Sequence, residues 1–319
     1  MKKPVAYKDP SEKFWAEDPF DIYLPTPGFV SDFILATRGM ATPTIFSVWV
    51  ALFMLSTAIK REAWFKWFPD PIYPNLYVIF VAPPKICAKS VSARLGGQIL
   101  SVFPDSIDDL GLQTKKRITI SKAKITPEAI SSLLTVPYVA IPGGKGIIRV
   151  KLYPQVCFLV SELGTFLGKQ LYNVGLIDRL TNLYDCADDE DDTLSRGIKH
   201  FENVYVTLLG ATTAESLTNT LPEEAFGGGF MSRVILVWQE KSTRIYPMPK
   251  EVHGSPTLEI LAQRLAWIAT HTQGEYVFEE KAQKAYEEWF FEHHSMLEKE
   301  EYEKRKEMLY RFDIHLLKV

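Results

Sequence analysis

Cysteine is scarce in this sequence, and its spacing argues against a disulfide framework. The 319 residues contain three cysteines, Cys87, Cys157 and Cys186, which are far apart and odd in number. Such usage suits a reducing cytosol, and none of the three has metal-ligand spacing. The adjacent His293 and His294 face different sides of a helix, and we interpret them as surface residues. We therefore expect a cytoplasmic protein without structural disulfides.

The sequence also has little net charge. The formal charge is −3 and the pI is near 6.1, so there is no global electrostatic footprint for nucleic acid. The charges are segregated, however. Residues 115–124 carry five bases and no acid, whereas residues 185–192 carry six acids and no base. Any contact with nucleic acid must come from local basic patches, and the acidic run is interpreted as a solvated loop.

A secretory leader is lacking as well, because residues 1–19 are charged and have no apolar core. The run Met40–Ile59 approaches the roughly 20 apolar residues that a membrane-spanning helix needs. Several hydroxyl side chains and Pro43 dilute it. This favours a buried core helix that begins near Pro43 and ends before Lys60, with a membrane span as the alternative.

Apolar residues are abundant, at 46% of the chain, which is enough for a large core. Four continuous apolar runs of strand length alternate with helical stretches, and each has polar residues at its carboxyl end. The runs are residues 76–81, 156–160, 204–209 and 234–238. Fully buried parallel strands have this pattern. The sequence therefore predicts an α/β fold with a mostly parallel sheet and a functional site at its carboxyl edge.

The predicted sheet divides the chain into three parts. Residues 1–70 form a helical N-terminal segment, residues 71–245 form the core with the sheet, and residues 246–319 form a helical C-terminal region. The apolar face of the last predicted helix continues up to Val319. The last helix is therefore expected either to pack as it stands or to continue in a longer chain.

The turn after the first apolar run has the order of a phosphate-binding loop: strand, tight loop, Lys-Ser, helix. This order places backbone N–H groups, an ammonium and a hydroxyl around nucleotide phosphates and their Mg²⁺ ion. Pro83 and Ala88 occupy the two glycine positions of the pattern G-x-x-x-x-G-K-[ST], so an ordinary surface lysine is the alternative. The predicted ATP-binding residues are Pro84, Lys85, Cys87, Ala88, Lys89 and Ser90.

A carboxylate follows the second apolar run, where a P-loop ATPase needs one. We assign Glu162 the role of orienting the attacking water, and Ser161 a water-mediated contact with Mg²⁺. Ser90 is the predicted direct metal ligand. The alternative for Glu162 is a helix cap, because a negative charge stabilises a helix N-terminus.

Two further candidates flank the third and fourth runs. Thr212 lies at the end of the strand predicted from the third run, where its side chain could sense a γ-phosphate, although threonine is also a common helix N-cap. Arg233 precedes the fourth run, after a glycine-rich stretch, and is a candidate for an arginine that acts in a neighbouring subunit. A surface ion pair is the alternative for Arg233.

Together these motifs resemble a family of phage, plasmid and prophage proteins described as primase-helicases or helicase-like domains. The resemblance covers nearly the whole chain. The Ser232-Arg233 element also looks like the arginine-finger segment of AAA+ helicases such as MCM. Lys85 stands where the family commonly has glycine. The residues that carry the resemblance are 74–79, 82–84, 89–90, 160–167, 180–185, 208–213 and 228–233.

The resemblance implies a P-loop NTPase core of AAA+ or RecA-like type that takes ATP and Mg²⁺. It implies an ATP-dependent DNA helicase, translocase or loader in the replication system of a phage or mobile element. The expected partners are single-stranded DNA, further copies of the chain in a ring, and replication proteins, with no membrane. Arg305 or Arg311 would serve as a lid arginine at the nucleotide. The rival function is a non-hydrolysing scaffold or partner-binding module.

Two basic stretches are the candidate DNA contacts. One lies before the second strand, and the other lies between the Glu162 and Thr212 strands, where AAA+ helicases carry a pore hairpin. A solvated basic face is the alternative for both stretches. The predicted residues are Lys115, Lys116, Arg117, Arg196 and Lys199.

Overall fold

The chain combines helices with a parallel sheet, which confirms the α/β prediction. The computed structural model describes most of the chain beyond residue 26. For residues 106–107, 113–114, 138–143, 146–151 and 189–198, side-chain surroundings are not described. The described residues are 27–85, 87–103, 106–107, 113–114, 118–122, 125–135, 138–143, 146–151, 154–167, 175–193, 197–221, 225, 229–241, 246 and 248–319.

The strands are short, and most belong either to the central sheet or to hairpins. In chain order they are β1 (Ala63–Phe65), β2 (Tyr77–Val81), β3 (Ser106–Ile107), β4 (Gln113–Thr114), β5 (Ile120–Ser121), β6 (Tyr138–Gly143), β7 (Gly146–Lys151), β8 (Gln155–Val160), β9 (Asp189–Thr193), β10 (Gly197–Phe201), β11 (Tyr205–Thr212), β12 (Val234–Trp238) and β13 (Gly274–Tyr276).

The helices precede, interrupt and follow the sheet. They are α1 (Phe29–Thr37), α2 (Thr44–Ile59), α3 (Lys89–Ser101), α4 (Pro127–Leu134), α5 (Leu163–Leu167), α6 (Leu176–Tyr184), α7 (Ala214–Thr220), α8 (Leu258–His271), α9 (Glu280–Glu298), α10 (Glu303–Leu309) and α11 (Phe312–Lys318), with short 3₁₀ turns at Lys60–Glu62 and Met231–Arg233.

The central sheet has five parallel strands in the order β12-β2-β11-β8-β5. Numbered along the chain, these strands lie in the order 5-1-4-3-2. Strand β2 is flanked on both sides, since Tyr77 pairs with Leu208 and with Val234. Its five residues are all buried, which is why it reads as an unbroken apolar run.

Two apolar cores cover the two faces of the sheet. The alternation of side chains along β2 divides it between them, with Val78 and Phe80 in one core and Ile79 in the other. Helices α1, α2, α3 and α8 complete the first core. Helices α4 to α7 contribute to the second.

The helices that follow β2 and β11 lie on opposite faces of the sheet. Helix α3 packs on the first face through Ile99 and Leu100, whereas α7 packs on the second through Leu217. Neighbouring parallel strands whose connections leave in opposite directions open a crevice at their carboxyl ends. The crevice between β2 and β11 is therefore where the fold favours a ligand.

The apolar helix α2 is a core element. Thr44–Glu62 is long and apolar enough to span a membrane, but most of that stretch is buried within the protein. Phe46 stacks on Phe80 of the sheet with ring centroids 4.4 Å apart. The structure thus supports the prediction of a buried helix between Pro43 and Lys60.

The C-terminal region is helical, and α11 reaches the amino edge of the sheet. His315 Nε2 lies 2.9 Å from the carbonyl oxygen of Ser232, and His315 Nδ1 lies 3.1 Å from the Tyr184 hydroxyl. Lys318 Nζ donates to the side-chain oxygen of Asn75. Polar contacts of buried side chains therefore hold the last helix against the core.

Two interpretations from the sequence were wrong. The acidic run is not a loop, because Asp189–Thr193 forms a strand that pairs antiparallel with Gly197–Phe201. His293 is not a surface residue: it is 6% exposed, and its Nε2 lies 2.9 Å from the carbonyl oxygen of Leu309. Hairpin pairing overrides the local polarity of the sequence in the first case, and tertiary packing overrides it in the second.

Candidate functional site

The Lys89 ammonium lies in the crevice between β2 and β11. Its Nζ donates to the carbonyl oxygen of Ala82, at the end of β2, and to that of Thr212, at the end of β11, over 2.8 Å. Lys89 is the first residue of α3, so helix N-terminal N–H groups surround the same place. The structure therefore puts an ammonium and a helix N-terminus at the switch point of the sheet, which is an arrangement that favours an anion.

The loop before Lys89 adopts backbone conformations that normally require glycine. Lys85 has φ 64°, and Ala88 has φ 45° and ψ 34°, which is the left-handed region. Ala88 stands at the second glycine position of the phosphate-loop pattern. The loop thus keeps a glycine-type shape with residues that carry a Cβ, at a cost of about 1 kcal/mol or more for each such residue.

Glu162 lies within electrostatic range of Lys89. It is exposed after β8, two strands from β2, and its Oε1 accepts a hydrogen bond from Ser216 Oγ over 3.2 Å. Partial burial lowers the pKa of Lys89, while the negative charge of Glu162 opposes this shift. The structure thus brings together the two residues that the sequence singled out.

The oxygen ligands beside this crevice suit Mg²⁺. Ser90 in the first turn of α3 is exposed, and so are Ser161 and Glu162 after β8. Hydroxyl and carboxylate oxygens are the ligands that this hard cation prefers, and it usually takes only one or two carboxylates together with substrate phosphates. Among the described residues, no cluster of three or more His, Cys, Asp or Glu side chains forms a cage for another kind of metal ion.

Two other residues predicted to bind ATP, Cys87 and Pro84, differ in their surroundings. Cys87 is buried, and its Sγ donates to the carbonyl oxygen of Gln239 over 3.7 Å. Burial raises the pKa of this thiol, and the charge of Lys89 opposes the shift. Pro84 is exposed on the outside of the loop and has no N–H to offer a phosphate.

Thr212 and Thr213 make different contacts. Thr212 is 1% exposed, and its Oγ1 donates to the carbonyl oxygen of Thr213 over 3.3 Å. Its own carbonyl oxygen accepts the hydrogen bond from Lys89 Nζ. Thr213 caps α7, since its Oγ1 accepts from the N–H of Ser216 over 3.1 Å. Thr212 therefore contacts the crevice through its backbone.

Arg233 lies at the opposite edge of the sheet from Lys89. It ends the turn that precedes β12, and its Nη2 is 2.7 Å from Asp185 Oδ2. Arg311 binds the other oxygen of the same carboxylate over 3.0 Å. Burial alone would raise the pKa of Asp185, but the two guanidinium groups lower it below its usual value. The ion pair named as the alternative for Arg233 is thus present.

The two arginines proposed for a lid have partners elsewhere. Arg311 is at the amino edge, as just described, and Arg305 Nε is 3.2 Å from Glu300 Oε2. Arg311 therefore lies beside Arg233 and on the edge of the sheet opposite to Lys89.

The predicted nucleic-acid residues are only partly described. Lys115, Lys116, Arg117 and Arg196 lie outside the described residues. Lys199 lies on β10, and its Nζ donates to Thr135 Oγ1 over 3.3 Å.

Sequence reasoning missed two residues that position the candidate site residues. Ser216 holds the Glu162 carboxylate, and Asp185 holds Arg233. Each contact joins residues about 50 positions apart, so local spacing gives no signal for it. A comparison of the sequence with protein-family models and with curated proteins finds no match.

Proposed function

We propose that this protein is a P-loop ATPase that couples ATP hydrolysis to movement along or loading onto single-stranded DNA. The observation that carries the proposal is the position of Lys89. An ammonium at the start of α3, at the crevice between β2 and β11, suits the terminal phosphates of a nucleotide.

Mg²⁺ would be held by Ser90, with Ser161 and Glu162 near its hydration shell. When bound, the ion neutralises phosphate charge and orients the substrate. The residues of the chain supply the rest: Lys89 binds phosphate oxygens, and the loop from Lys85 to Ala88 wraps the polyphosphate with its backbone.

Glu162 orients the attacking water in this proposal. Its carboxylate is exposed on the edge that carries Lys89, and Ser216 fixes one of its oxygens. A carboxylate held in this way can accept a hydrogen bond from the attacking water without a large rearrangement. Strand β11 lies between β2, which leads into the phosphate loop, and β8, which leads to Glu162.

Arg233 acts on a neighbouring copy of the chain in this proposal. Its place at the amino edge separates it from its own Lys89, whereas an adjacent subunit in a ring can bring the two edges together. The guanidinium must then leave Asp185 for the phosphate, an exchange of one anion for another.

A scaffold without hydrolysis is the second candidate, and one observation favours it. Lys89 already has two carbonyl partners, and these bonds tie the ends of β2 and β11 together. In such a protein Lys89 is a structural residue, and nucleotide is not required.

The test is ATP hydrolysis by the wild-type protein with and without single-stranded DNA, repeated with Lys89→Ala. Lys241→Ala is the matched control, because Lys241 is exposed beyond the carboxyl end of β12 on the same edge. We expect DNA-stimulated hydrolysis that Lys89→Ala abolishes and Lys241→Ala keeps. Hydrolysis that is undiminished in Lys89→Ala would contradict the site, and absence of hydrolysis in the wild type would favour the scaffold.

A further inference from the structure

Trp238 is an exposed aromatic residue at the carboxyl end of a strand that is otherwise covered. The first four residues of β12 are buried or half-buried, whereas Trp238 is 52% exposed. A tryptophan in this situation presents a large apolar ring with a π-face to solvent. The edge of the sheet that carries Lys89 therefore also carries a surface on which a planar ligand can stack.

Backbone and side-chain contacts fix Trp238 beside the phosphate loop. Trp238 is in register with Val81, the last residue of β2 before that loop. The N–H of Gln239 donates to the carbonyl oxygen of Val81 over 3.0 Å. The carbonyl oxygen of Gln239 accepts from Cys87 Sγ, near the other end of the loop, over 3.7 Å. The residue that follows Trp238 thus contacts the chain at both ends of the loop.

The order of the strands sets the direction in which a nucleotide would lie. Lys89 Nζ is at the crevice between β2 and β11, Glu162 follows β8 beyond β11, and β12 lies on the other side of β2. If the γ-phosphate faces Glu162, the ribose and the nucleobase extend the opposite way, over β2 toward β12. Neighbouring strands are about 4.8 Å apart, so the crevice and β12 are separated by about 7 Å, which a nucleotide can span.

Trp238 and the helix that follows Glu162 lie on the same face of the sheet. Side chains alternate along β12, with Val237 in the first core and Leu236 packed against the second, so Trp238 is on the side of Leu236. Leu163, directly after Glu162, belongs to the second core as well. A ligand that reaches from Glu162 to Trp238 therefore need not cross from one face of the sheet to the other.

We propose that Trp238 stacks on the nucleobase of the bound nucleotide and forms the base-binding part of the site. The inference rests on the proposed function, which places the phosphates at Lys89. An aromatic side chain holds a base through its π-face, and such a contact adds to the binding of the phosphates. The site therefore favours a nucleoside triphosphate over an inorganic polyphosphate of the same charge.

The experiment compares two ligands, ATP and inorganic tripolyphosphate, each titrated calorimetrically in the presence of Mg²⁺. The test variants are Trp238→Ala and Trp238→Phe, and Lys89→Ala is measured beside them. The matched control is Trp267→Ala, because Trp267 is another exposed tryptophan, 62% exposed on α8. Thermal unfolding of each variant shows that it is folded.

We expect Trp238→Ala to bind ATP about ten-fold more weakly, which is the size of one base–aromatic stack, and to bind tripolyphosphate as the wild type does. Trp238→Phe should keep most of the affinity for ATP, since phenylalanine also stacks. It should lose the change in tryptophan fluorescence that ATP causes in the wild type and in Trp267→Ala. The affinity of Trp267→Ala for ATP should stay within about two-fold of the wild type.

Undiminished ATP binding by Trp238→Ala would overturn the inference, and so would an equal loss of ATP and tripolyphosphate binding in that variant. If Lys89→Ala abolishes binding in either case, the phosphate site stands without the stack. ATP binding that requires Trp238 and not Lys89 would support the stack and refute the phosphate site. Absence of ATP binding by the wild type would overturn both.

Discussion

Ala88 holds a left-handed conformation at the start of α3, and this makes a prediction about stability. Ala88→Gly should raise the free energy of unfolding by up to about 1 kcal/mol, because glycine adopts this conformation without the steric cost of a Cβ. Urea unfolding measures the change. The control is Ala93→Gly within the same helix, which should lower the free energy by about 1 kcal/mol.

Equal destabilisation by the two glycine substitutions would contradict the left-handed conformation at residue 88. A gain in stability from Ala88→Gly would support the left-handed backbone conformation at this position.

Glu162 gives the second prediction at this scale. Glu162→Gln should reduce turnover on the order of 100-fold and leave ATP binding intact, since a water-orienting carboxylate acts mainly in the transition state. Single-turnover hydrolysis and ATP binding are measured side by side. Glu215→Gln, an exposed residue in the first turn of α7, is the control. Equal loss of binding and turnover would point to a metal-holding role for Glu162.

At the scale of the elements, the contact of α11 with the core predicts a pH dependence of stability. Burial lowers the pKa of His315 from 6.5 to about 4, aided by the charges of Lys318 and Arg311 and opposed by its bond to Ser232. The unfolded chain therefore takes up a proton near pH 6.5, whereas the folded chain does so only near pH 4. Stability should fall as pH falls through this window, by up to about 3 kcal/mol.

The measurement is the thermal unfolding midpoint between pH 7 and pH 4, compared with His315→Gln. Glutamine can donate to the Ser232 carbonyl but does not titrate, so the variant should have a flatter profile. His253→Gln changes an exposed histidine and serves as the control. A wild-type profile that His315→Gln leaves unchanged would contradict the contribution of α11.

The main elements of the sheet could be predicted from the sequence, and the smaller ones could not. Strands β2, β8, β11 and β12 lie within a few residues of the apolar runs, because most of their residues are buried. The edge strand β5 has two residues, too few for any period. The acidic strand β9 has no apolar residue to mark it.

The candidate site was predictable where strand ends carried polar residues, as at Lys89 and Glu162. Its supporting contacts were not, because Ser216 and Asp185 depend on which helices lie beside which strands. The order of the strands places β11 between β2 and β8, and a sequence pattern does not contain that order.

At the scale of the whole molecule, the separation of Lys89 from Arg233 predicts a site shared between subunits. Arg233→Ala should bind ATP and hydrolyse it about 10³-fold more slowly, and hydrolysis by the wild type should depend on protein concentration. Mixing Arg233→Ala with Lys89→Ala should restore activity, since some interfaces then pair an intact lysine with an intact arginine. Arg264→Ala, which removes an ion pair with Asp32, is the control.

Mixed oligomers that form but recover no activity would mean that Arg233 does not act across subunits. Its contact with Asp185, a carboxylate that also binds Arg311 of the C-terminal region, would then be its main role.

The central claim is that the crevice at Lys89 binds ATP, and calorimetric titration with ATP and Mg²⁺ tests it most directly. The wild type should show saturable binding, Lys89→Ala should show none, and Lys241→Ala should match the wild type. Absence of binding by the wild type, or equal binding by Lys89→Ala, would contradict the account.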